Sequence, residues 1–216
     1  DEKIKKVTLP RPGHADLSGV QKYNFDDCRN VLERSSARET AMRVALASIC
    51  RKFLNTVGIE VGSRVVQIHT IKDETLLSDN ITPEGLNKKA DNSLVRCLDK
   101  KAEKQMIQAI KKAQKDGDSV GGIFEIIATG LPYGLGSHIQ WDTKLHARIA
   151  ASLMSVNAFK GIEIGMGFAL SRHFGSEVHD EIGWDGNKYT RYSNNAGGIE
   201  GGMSNAQPII IRAVMK

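Results

Sequence analysis

Cysteine is scarce and scattered in this sequence. The 216 residues include 3 cysteines, Cys28, Cys50 and Cys97, and none of them forms a CxxC pair with another. An odd, dispersed set argues against a disulfide scaffold, a zinc ribbon or a thioredoxin-like motif, and it favours a reducing compartment. We therefore expect a cytoplasmic protein that binds no metal.

Long hydrophobic runs are missing as well. The longest apolar stretches, such as the isoleucines at 209–211, are far shorter than the roughly 20 residues that cross a bilayer, and no signal peptide opens the chain. Hydrophobic residues make up 40% and charged residues 25% of the chain, values that argue against disorder. The sequence predicts a soluble globular protein without a membrane partner.

Aromatic residues are few, at 6%, and their scarcity helps to decide whether the positive net charge indicates nucleic-acid binding. Lys and Arg number 30 against 25 Asp and Glu, which gives a net charge of +5. Nucleic-acid sites interleave basic and aromatic side chains, whereas the lysine-rich stretch 101–115 contains no aromatic residue. We expect no nucleic-acid partner and keep two alternatives open, a nucleic-acid-binding module and a non-catalytic oligomeric scaffold.

Hydrophobic periodicity predicts several elements. A capping box at residues 36–39 predicts a helix that continues past Leu54 and stops at Gly58, and further helices are predicted over 93–115 and 142–156. Strands are predicted over 59–71, 120–128, 161–170 and 208–215, with a hairpin turn at Asp185-Gly186. Because the predicted helices and strands do not alternate regularly as βαβ units, we predict an α+β fold. Because the chain has no internal repeat or linker, we predict one domain over 1–216.

Several familiar catalytic motifs are absent. Two GxG pairs, at 134–136 and 165–167, lack the third glycine of a dinucleotide fingerprint, and no GxxxxGK[ST] loop occurs. The 6 histidines show no HExxH spacing, and the elbow-like segment 202–206 lacks its second glycine. Three other clusters remain as candidates.

The first cluster is RPGHAD at residues 11–16. It combines a cation, Arg11, an imidazole, His14, and a carboxylate, Asp16, around a proline and a glycine. Such a loop suits general acid catalysis because it can hold a histidine rigidly beside an anion. The alternative is an ordinary turn whose histidine bonds to the backbone.

The second cluster is RSSAR at residues 34–38, at the start of the clearest predicted helix. Helix N-termini attract anions through unpaired NH groups and the positive end of the helix dipole. Two arginines and two hydroxyls add to this attraction and favour a phosphate or carboxylate site. Simple capping is the alternative, and it explains Ser36 but not the clustering.

The third cluster lies in the glycine-dense half of the chain. Of the 21 glycines, 16 lie between Gly117 and Gly202. The segment NNAGGIEGGMSN at 194–205 is typical either of a backbone cradle for a flat polar ligand or of two glycine-rich turns. The spacing does not choose between them.

Together with GLPYGLG at 130–136 and SVNAFKG at 155–161, these clusters occur in the order and spacing of chorismate synthases. The chain resembles that family over essentially its whole length. The resemblance implies a β-α-β sandwich with long helices between antiparallel sheets. It also implies the 1,4-anti elimination of phosphate from 5-enolpyruvylshikimate 3-phosphate to give chorismate, with reduced FMN as cofactor. Either NADPH or a separate flavin reductase would reduce the flavin.

The resemblance also assigns site residues. His14 matches the active-site histidine near N1 of the reduced flavin, and Arg11, Ser36 and Arg38 match positions that hold the phosphate and carboxylates of the substrate. The implied FMN contacts are Arg34, Ser35, Ser36, Asn157, Ala158, Gly201 and Lys216. Arginine suits a substrate with three anionic groups because its planar fork pairs with them in a bidentate manner.

The family pattern extends beyond both ends of this sequence. A GxSHG-like motif with a second catalytic histidine would precede residue 1, and the remainder of a KPxxT-like flavin segment would follow Lys216. We therefore expect these 216 residues alone to be inactive. The resemblance also implies a homotetramer. Because the apolar strand at 208–215 would need cover at an exposed edge, we expect a dimer or tetramer even for these 216 residues alone.

Overall fold

The computed structural model describes residues 5–77 and 82–216, which form two compact units. The N-terminal unit comprises the chain up to Cys50 together with Val156–Ala158, and the sheet unit comprises Arg51–Ser155 and Phe159–Lys216. The single domain expected over 1–216 stays a prediction.

Helices occur in both units. In chain order, the α-helices of the described residues are α1 Asp16–Tyr23, α2 Arg29–Ser35, α3 Thr40–Thr56, α4 Pro83–Asp91, α5 Lys100–Lys115, α6 Leu145–Met154 and α7 Gly175–Val178. Short 3-10 helices cover Ala37–Glu39, Trp141–Thr143 and Gly167–Arg172.

All strand pairs of the sheet unit are antiparallel. The strands are β1 Glu60–Ile68, β2 Ile71–Lys72, β3 Gly122–Thr129, β4 Tyr133–Gly136, β5 Phe159–Ile164, β6 Ile182–Trp184, β7 Tyr189–Arg191, β8 Ile199–Glu200, β9 Met203–Asn205 and β10 Ile209–Met215. They form a five-stranded sheet in the order β2-β1-β3-β10-β5, a three-stranded sheet β4-β9-β8 and the hairpin β6-β7. The hairpin surrounds Asp185-Gly186, as predicted.

The main core of the sheet unit lies on one face of β10. Ile209 and Ile211 alternate with less buried residues and are 3% and 4% exposed, because successive strand residues point to opposite faces. Apolar side chains of α6, four residues apart, pack against them: Leu145, Ile149 and Leu153. Helix α6 also contacts both β5 and β9, and thus a strand of each of two antiparallel sheets. The α+β class is confirmed.

The strand at 208–215, β10, was expected to have an exposed edge, and this expectation was wrong. The strand lies between β3 and β5, with Arg212 opposite Glu125 on one side and Glu163 on the other. Its backbone is therefore paired on both sides, and it needs no cover from another subunit.

Helix α5 begins later than the predicted helix over 93–115. Asp99 caps it by accepting hydrogen bonds from the backbone N atoms of Lys101 and Ala102, at 2.6 and 3.3 Å. Ser93 instead caps a turn, and Arg96 has a φ of 57°, which lies outside the helical region. The prediction of a helix over 93–98 was wrong.

The other differences also begin at turn residues. The strand predicted over 161–170 ends at Ile164, because Gly165 and Gly167 have φ values of 59° and 55° and lead into a 3-10 helix. Helices α1, α2, α4 and α7 have no counterpart among the predicted elements. Helix α4 follows Thr82, whose Oγ1 accepts a hydrogen bond from the backbone N of Gly85 at 3.0 Å.

The N-terminal unit is held by close helix packing and polar contacts. Helices α1 and α2 meet at Gly19, where a Cβ would lie 2.5 Å from Cγ1 of Val31, so a larger residue would push the helices apart. The preceding segment is tied by Val7, whose backbone N donates to Oδ1 of Asp27 at 3.1 Å and whose carbonyl accepts from Cys28 at 2.8 Å.

Candidate active site

His14 lies in a turn that begins at Arg11. Gly13 has a φ of 74°, a conformation that favours glycine, and the backbone N of His14 donates to the carbonyl of Arg11 at 3.4 Å. The imidazole of His14 is exposed, two residues before α1. An exposed imidazole on a closed turn is placed to exchange a proton with a bound molecule.

Asp16, the carboxylate of the same loop, is held by Arg11. Arg11 donates from Nε to Oδ2 at 2.9 Å, from Nη2 to Oδ1 at 3.1 Å and from its backbone N to Oδ2 at 3.1 Å. The side-chain and then the backbone hydrogen bond from Arg11 lower the pKa of Asp16 to about 2. A bidentate, charge-assisted pair between Arg11 and Asp16 therefore closes the loop. Asp16, the anion expected beside His14, is paired with Arg11 instead.

Ser36 lies at a junction between helices. Arg34 and Ser35 are the last residues of α2, and Ser36 is extended, with φ −70° and ψ 148°. Its Oγ accepts a hydrogen bond from the backbone N of Arg38 at 3.4 Å, at the start of the 3-10 helix that precedes α3. Arg34 and Ser35 are thus at a helix C-terminus, not at the N-terminus of the predicted long helix.

The predicted reciprocal capping box is wrong in both halves. The backbone N of Glu39 donates to the carbonyl of Ser36 at 3.1 Å, and the hydroxyl of Ser36 accepts from Arg38 instead. The carboxylate of Glu39 accepts from Nε of Arg43 at 2.9 Å on the following turn, and it does not reach back to Ser36. Nearby, Nη1 of Arg38 lies 3.5 Å from Oε2 of Glu33, and both side chains are largely exposed. The guanidinium of Arg38 is accessible to an anion.

Asn157 connects two of the sequence clusters. Its Nδ2 donates to the carbonyl oxygen of Ser36 at 2.8 Å, although 121 positions separate the two residues. Its neighbour Ala158 has a φ of 72°, which is strained for a residue with a Cβ and is often found at binding sites. Within the N-terminal unit, the structure therefore brings together two of the segments that are implied to contact FMN, residues 34–36 and residues 157–158.

The two GG pairs of the glycine-rich segment have different structural roles. A Cβ on Gly197 would lie 2.3 Å from the backbone N of Gly165, so this pair permits a close approach of main chains. Gly201 and Gly202 form the two-residue turn between β8 and β9, with φ values of 57° and 94°. A Cβ on Gly201 would have no atom within 4 Å, so its outer face is open.

The remaining implied FMN contact, Lys216, belongs with Gly201 to the sheet unit. Its Nζ donates to the carbonyl of Ser119 at 3.0 Å beside a cavity of about 530 Å³. The other candidate residues all lie in the N-terminal unit: Arg11, His14, Arg34, Ser35, Ser36, Arg38, Asn157 and Ala158.

Two polar anchors of the glycine-rich segment were missed by the sequence reasoning. Asp180 accepts from the hydroxyl of Ser193 at 2.5 Å and from the backbone N atoms of Asn195 and Ala196 at 2.7 and 2.9 Å. Burial opposes its ionisation, but these hydrogen bonds prevail and lower the pKa of Asp180. Arg191 forms a bidentate pair with Glu200. No local sequence signal marks either anchor, because both depend on tertiary contacts.

Across 5–77 and 82–216, no group of three or more His, Cys, Asp or Glu side chains is arranged to hold a metal ion. No helix in this part of the chain is long and apolar enough to cross a membrane.

Comparison with known proteins identifies the family. A family model described as chorismate synthase matches residues 2–216. The chain belongs to the chorismate synthase family. This assignment does not favour a nucleic-acid-binding module or a non-catalytic scaffold.

Individual members of the chorismate synthase family are similar throughout the chain. A chorismate synthase of Caldicellulosiruptor saccharolyticus is 53% identical over 218 residues, covering 100% of this chain and 56% of its own. A chorismate synthase 2 of Bacillus cereus is 52% identical over 213 residues, covering 98% and 54%. A crystal structure of chorismate synthase superimposes with a TM-score of 0.87 at 48% identity, covering 94% of this chain and 62% of its own. The chain spans about half the length of the curated relatives it matches.

Proposed function

We propose that this chain is part of an enzyme that converts 5-enolpyruvylshikimate 3-phosphate to chorismate by 1,4-anti elimination of phosphate, with reduced FMN as cofactor. The observation that carries the proposal is the hydrogen bond from Asn157 to the carbonyl of Ser36. It joins the RSSAR and SVNA motifs, both of which the family uses for the flavin. The free cysteines suit a reducing compartment, and we place the reaction in the cytoplasm.

The residues present fit a flavin. Gly201 offers an open face at a tight turn, and Ala158 is held in a left-handed conformation beside Asn157. In our proposal the flavin contacts are Arg34, Ser35, Ser36, Asn157, Ala158, Gly201 and Lys216. When bound, reduced FMN supplies the electron that the allylic system of the substrate takes up transiently, since the overall reaction has no net redox change.

The proposed roles of the loop residues follow from their contacts. His14, exposed on its turn, holds or donates a proton beside the flavin. Arg38 binds a phosphate or carboxylate group of the substrate, because its guanidinium is accessible and only loosely paired with Glu33. Nε and Nη2 of Arg11 already bond to Asp16, so we propose that Arg11 contributes Nη1 to the substrate while it holds the loop. Ser36 provides its hydroxyl at the junction.

We propose that these 216 residues form only part of the complete flavin site. Two missing charge-assisted contacts, at about 1.5–3 kcal/mol each, would weaken binding by about 10²–10⁴-fold. The test compares FMN titrations, followed by fluorescence quenching, of this chain and of a version extended to the length of its relatives. The extended protein should bind FMN tightly and release phosphate from 5-enolpyruvylshikimate 3-phosphate. An extended protein that does neither would refute the proposed function.

We also propose a homotetramer for the extended protein. Large apolar side chains are exposed along α3: Met42, Val44, Leu46, Ile49 and Phe53, at 63–70%. Apolar patches of this kind mark surfaces that another chain segment or subunit covers. Light scattering that finds only monomers at high concentration would contradict the tetramer. Whether NADPH or a separate reductase reduces the flavin is tested by adding NADPH to the purified protein alone.

A further inference from the structure

The turn that carries Gly201 has two sides, and they are held differently. On the β9 side, β4 pairs with β9, the backbone N of Leu135 donates to Oγ of Ser204 at 2.9 Å, and that hydroxyl donates to the carbonyl of Pro132 at 2.6 Å. The β8 side is an edge of the three-stranded sheet. Strands of two or three residues do not hold a hairpin by themselves, so the β8 side depends on its side chains. Ile199 packs into the core with Ile209 and Ile211, and Glu200, next to the turn, needs a polar anchor.

That anchor is the pair between Arg191 and Glu200. Nε of Arg191 donates to Oε1 of Glu200 at 3.2 Å, and Nη2 donates to Oε2 at 3.1 Å. The side chain of Arg191 is only 6% exposed, whereas that of Glu200 is 44% exposed. Glu200 also accepts from Nδ2 of Asn205 at 2.9 Å, across the hairpin. A largely desolvated arginine therefore fixes the residue that immediately precedes Gly201.

The surroundings of Arg191 connect it with the other end of the glycine-rich segment. Its side chain lines a cavity of about 480 Å³ between the hairpin β6-β7 and the glycine-rich segment, together with Asp180 and Ala196. Asp180 holds the backbone of Asn195 and Ala196 in place. The segment before Gly201 is thus fixed at one end by Asp180 and at the other by Arg191.

We infer that Arg191 is a positioning residue for flavin binding. Through Glu200 it holds the β8 side of the turn, and so the open face of Gly201, in the orientation that receives the ligand. This inference rests on the proposed function, since Gly201 is a proposed flavin contact. Arg191 itself need not touch the flavin.

The test uses the protein extended to the length of its relatives and the variant Arg191→Lys, which keeps the charge but loses the fork. The matched control is Arg64→Lys, because Arg64 also pairs with a carboxylate, that of Glu125 at 3.0 Å, and its side chain is 8% exposed. Arg64 lies on β1, a strand of the other sheet. Two quantities are measured: the Kd for FMN, and the hydrogen exchange of the backbone NH groups of 199–205 in protein without flavin.

Arg191→Lys should raise the Kd for FMN about tenfold, or about 1.4 kcal/mol, and speed exchange at 199–205, while kcat at saturating FMN and substrate stays close to wild type. Arg64→Lys should change neither Kd nor that exchange. A double variant, Arg191→Lys with Glu200→Gln, should be no worse than Arg191→Lys alone.

Unchanged exchange at 199–205 in Arg191→Lys, or an equal rise in Kd for both single variants, would overturn the inference. If Arg191→Lys exchanges faster at 199–205 but the wild-type protein binds no FMN, Arg191 still anchors the turn, and it is the proposed function that is refuted.

Discussion

The two units of this chorismate synthase family member differ in the interactions that stabilise each of them internally. In the sheet unit, apolar side chains such as Leu86, Met106 and Ile209 are 3% exposed or less. In the N-terminal unit, among residues 5–50 and 156–158, the buried residues are Asp16 and Cys28. Hydrogen bonds contribute about 0.5–1.5 kcal/mol each, less than a buried apolar side chain. Most of the candidate chemistry therefore belongs to the unit with the smaller core, and function and stability should respond to different substitutions.

The largest expected effect is on turnover. In the extended protein, His14→Ala should lower turnover about 10²–10⁴-fold, the usual contribution of one positioned acid or base. The free energy of unfolding should change by less than about 0.5 kcal/mol, because the side chain is exposed. The control is His173→Ala, an exposed histidine of the sheet unit. Near wild-type turnover of His14→Ala at saturating reduced FMN would remove His14 from the mechanism.

The converse effect is expected in the sheet unit. Met106→Ala should lower the free energy of unfolding by about 2–5 kcal/mol, because the side chain is 0% exposed and its loss leaves a cavity. Met42→Ala, at an α3 position that is 67% exposed, should cost less than about 0.5 kcal/mol. Urea unfolding of the 216-residue chain measures both. Similar costs for the two variants would show that the units do not differ in this way.

A smaller effect is expected at the proposed anion site. Arg38→Lys keeps the charge but loses the planar fork, so the Kd for 5-enolpyruvylshikimate 3-phosphate should rise about tenfold, or about 1.4 kcal/mol. Arg172→Lys, an exposed arginine of the sheet unit, should have no effect. Calorimetric titration of the extended protein distinguishes them, and equal affinities would make Arg38 a surface residue only.

The smallest expected effect is a local response to acid. Because the folded-state pKa of Asp16 is lowered to about 2 from the usual 3.8, its stabilisation is present above pH 3.8 and is lost as the pH falls through about 2. Glu103 of the sheet unit also has a pKa of about 2, owing to hydrogen bonds from Lys100 and then from the backbone of Leu94.

Two variants separate these acid responses. Asp16→Asn should remove the pH dependence of the hydrogen-exchange protection factors, which are corrected for the intrinsic exchange rate at each pH, in residues 11–23 and leave that of 94–106 unchanged, and Glu103→Gln should do the reverse. Loss of pH dependence in both segments from either variant would mean that the units respond to acid as one.

Local patterns predicted more of this molecule than non-local ones. The strand predicted over 208–215, the Asp185-Gly186 hairpin and the turn at His14 each depend on residues close in sequence, and the structure contains all three. The start of α5 was misplaced because Ser93 and Asp99 are both good caps, and only the left-handed Arg96 between them decides which one is used. Thr82-Pro83 is a local signal from which α4 could have been found.

The parts of the site that sequence reasoning missed depend on distant partners. The bond between Asn157 and Ser36 joins residues 121 positions apart, and no periodicity encodes it. The same holds for Glu125, whose two oxygens bond to Arg64 on one neighbouring strand and to Arg212 on the other. The family resemblance implied the roles of Asn157 and Ser36, but only the folded chain reveals their contact.

The central place of β10 also governs the order of events during synthesis. About 80 residues separate the end of β3 from the start of β10, and at about 5–20 residues per second a ribosome needs about 4–16 s to add them. During that interval β3 has an unpaired edge where β10 will lie, and β5 has one as well from the moment it has been made. Such edges pair readily with other chains. The nascent protein is therefore most prone to aggregate just before its five-stranded sheet closes around β10.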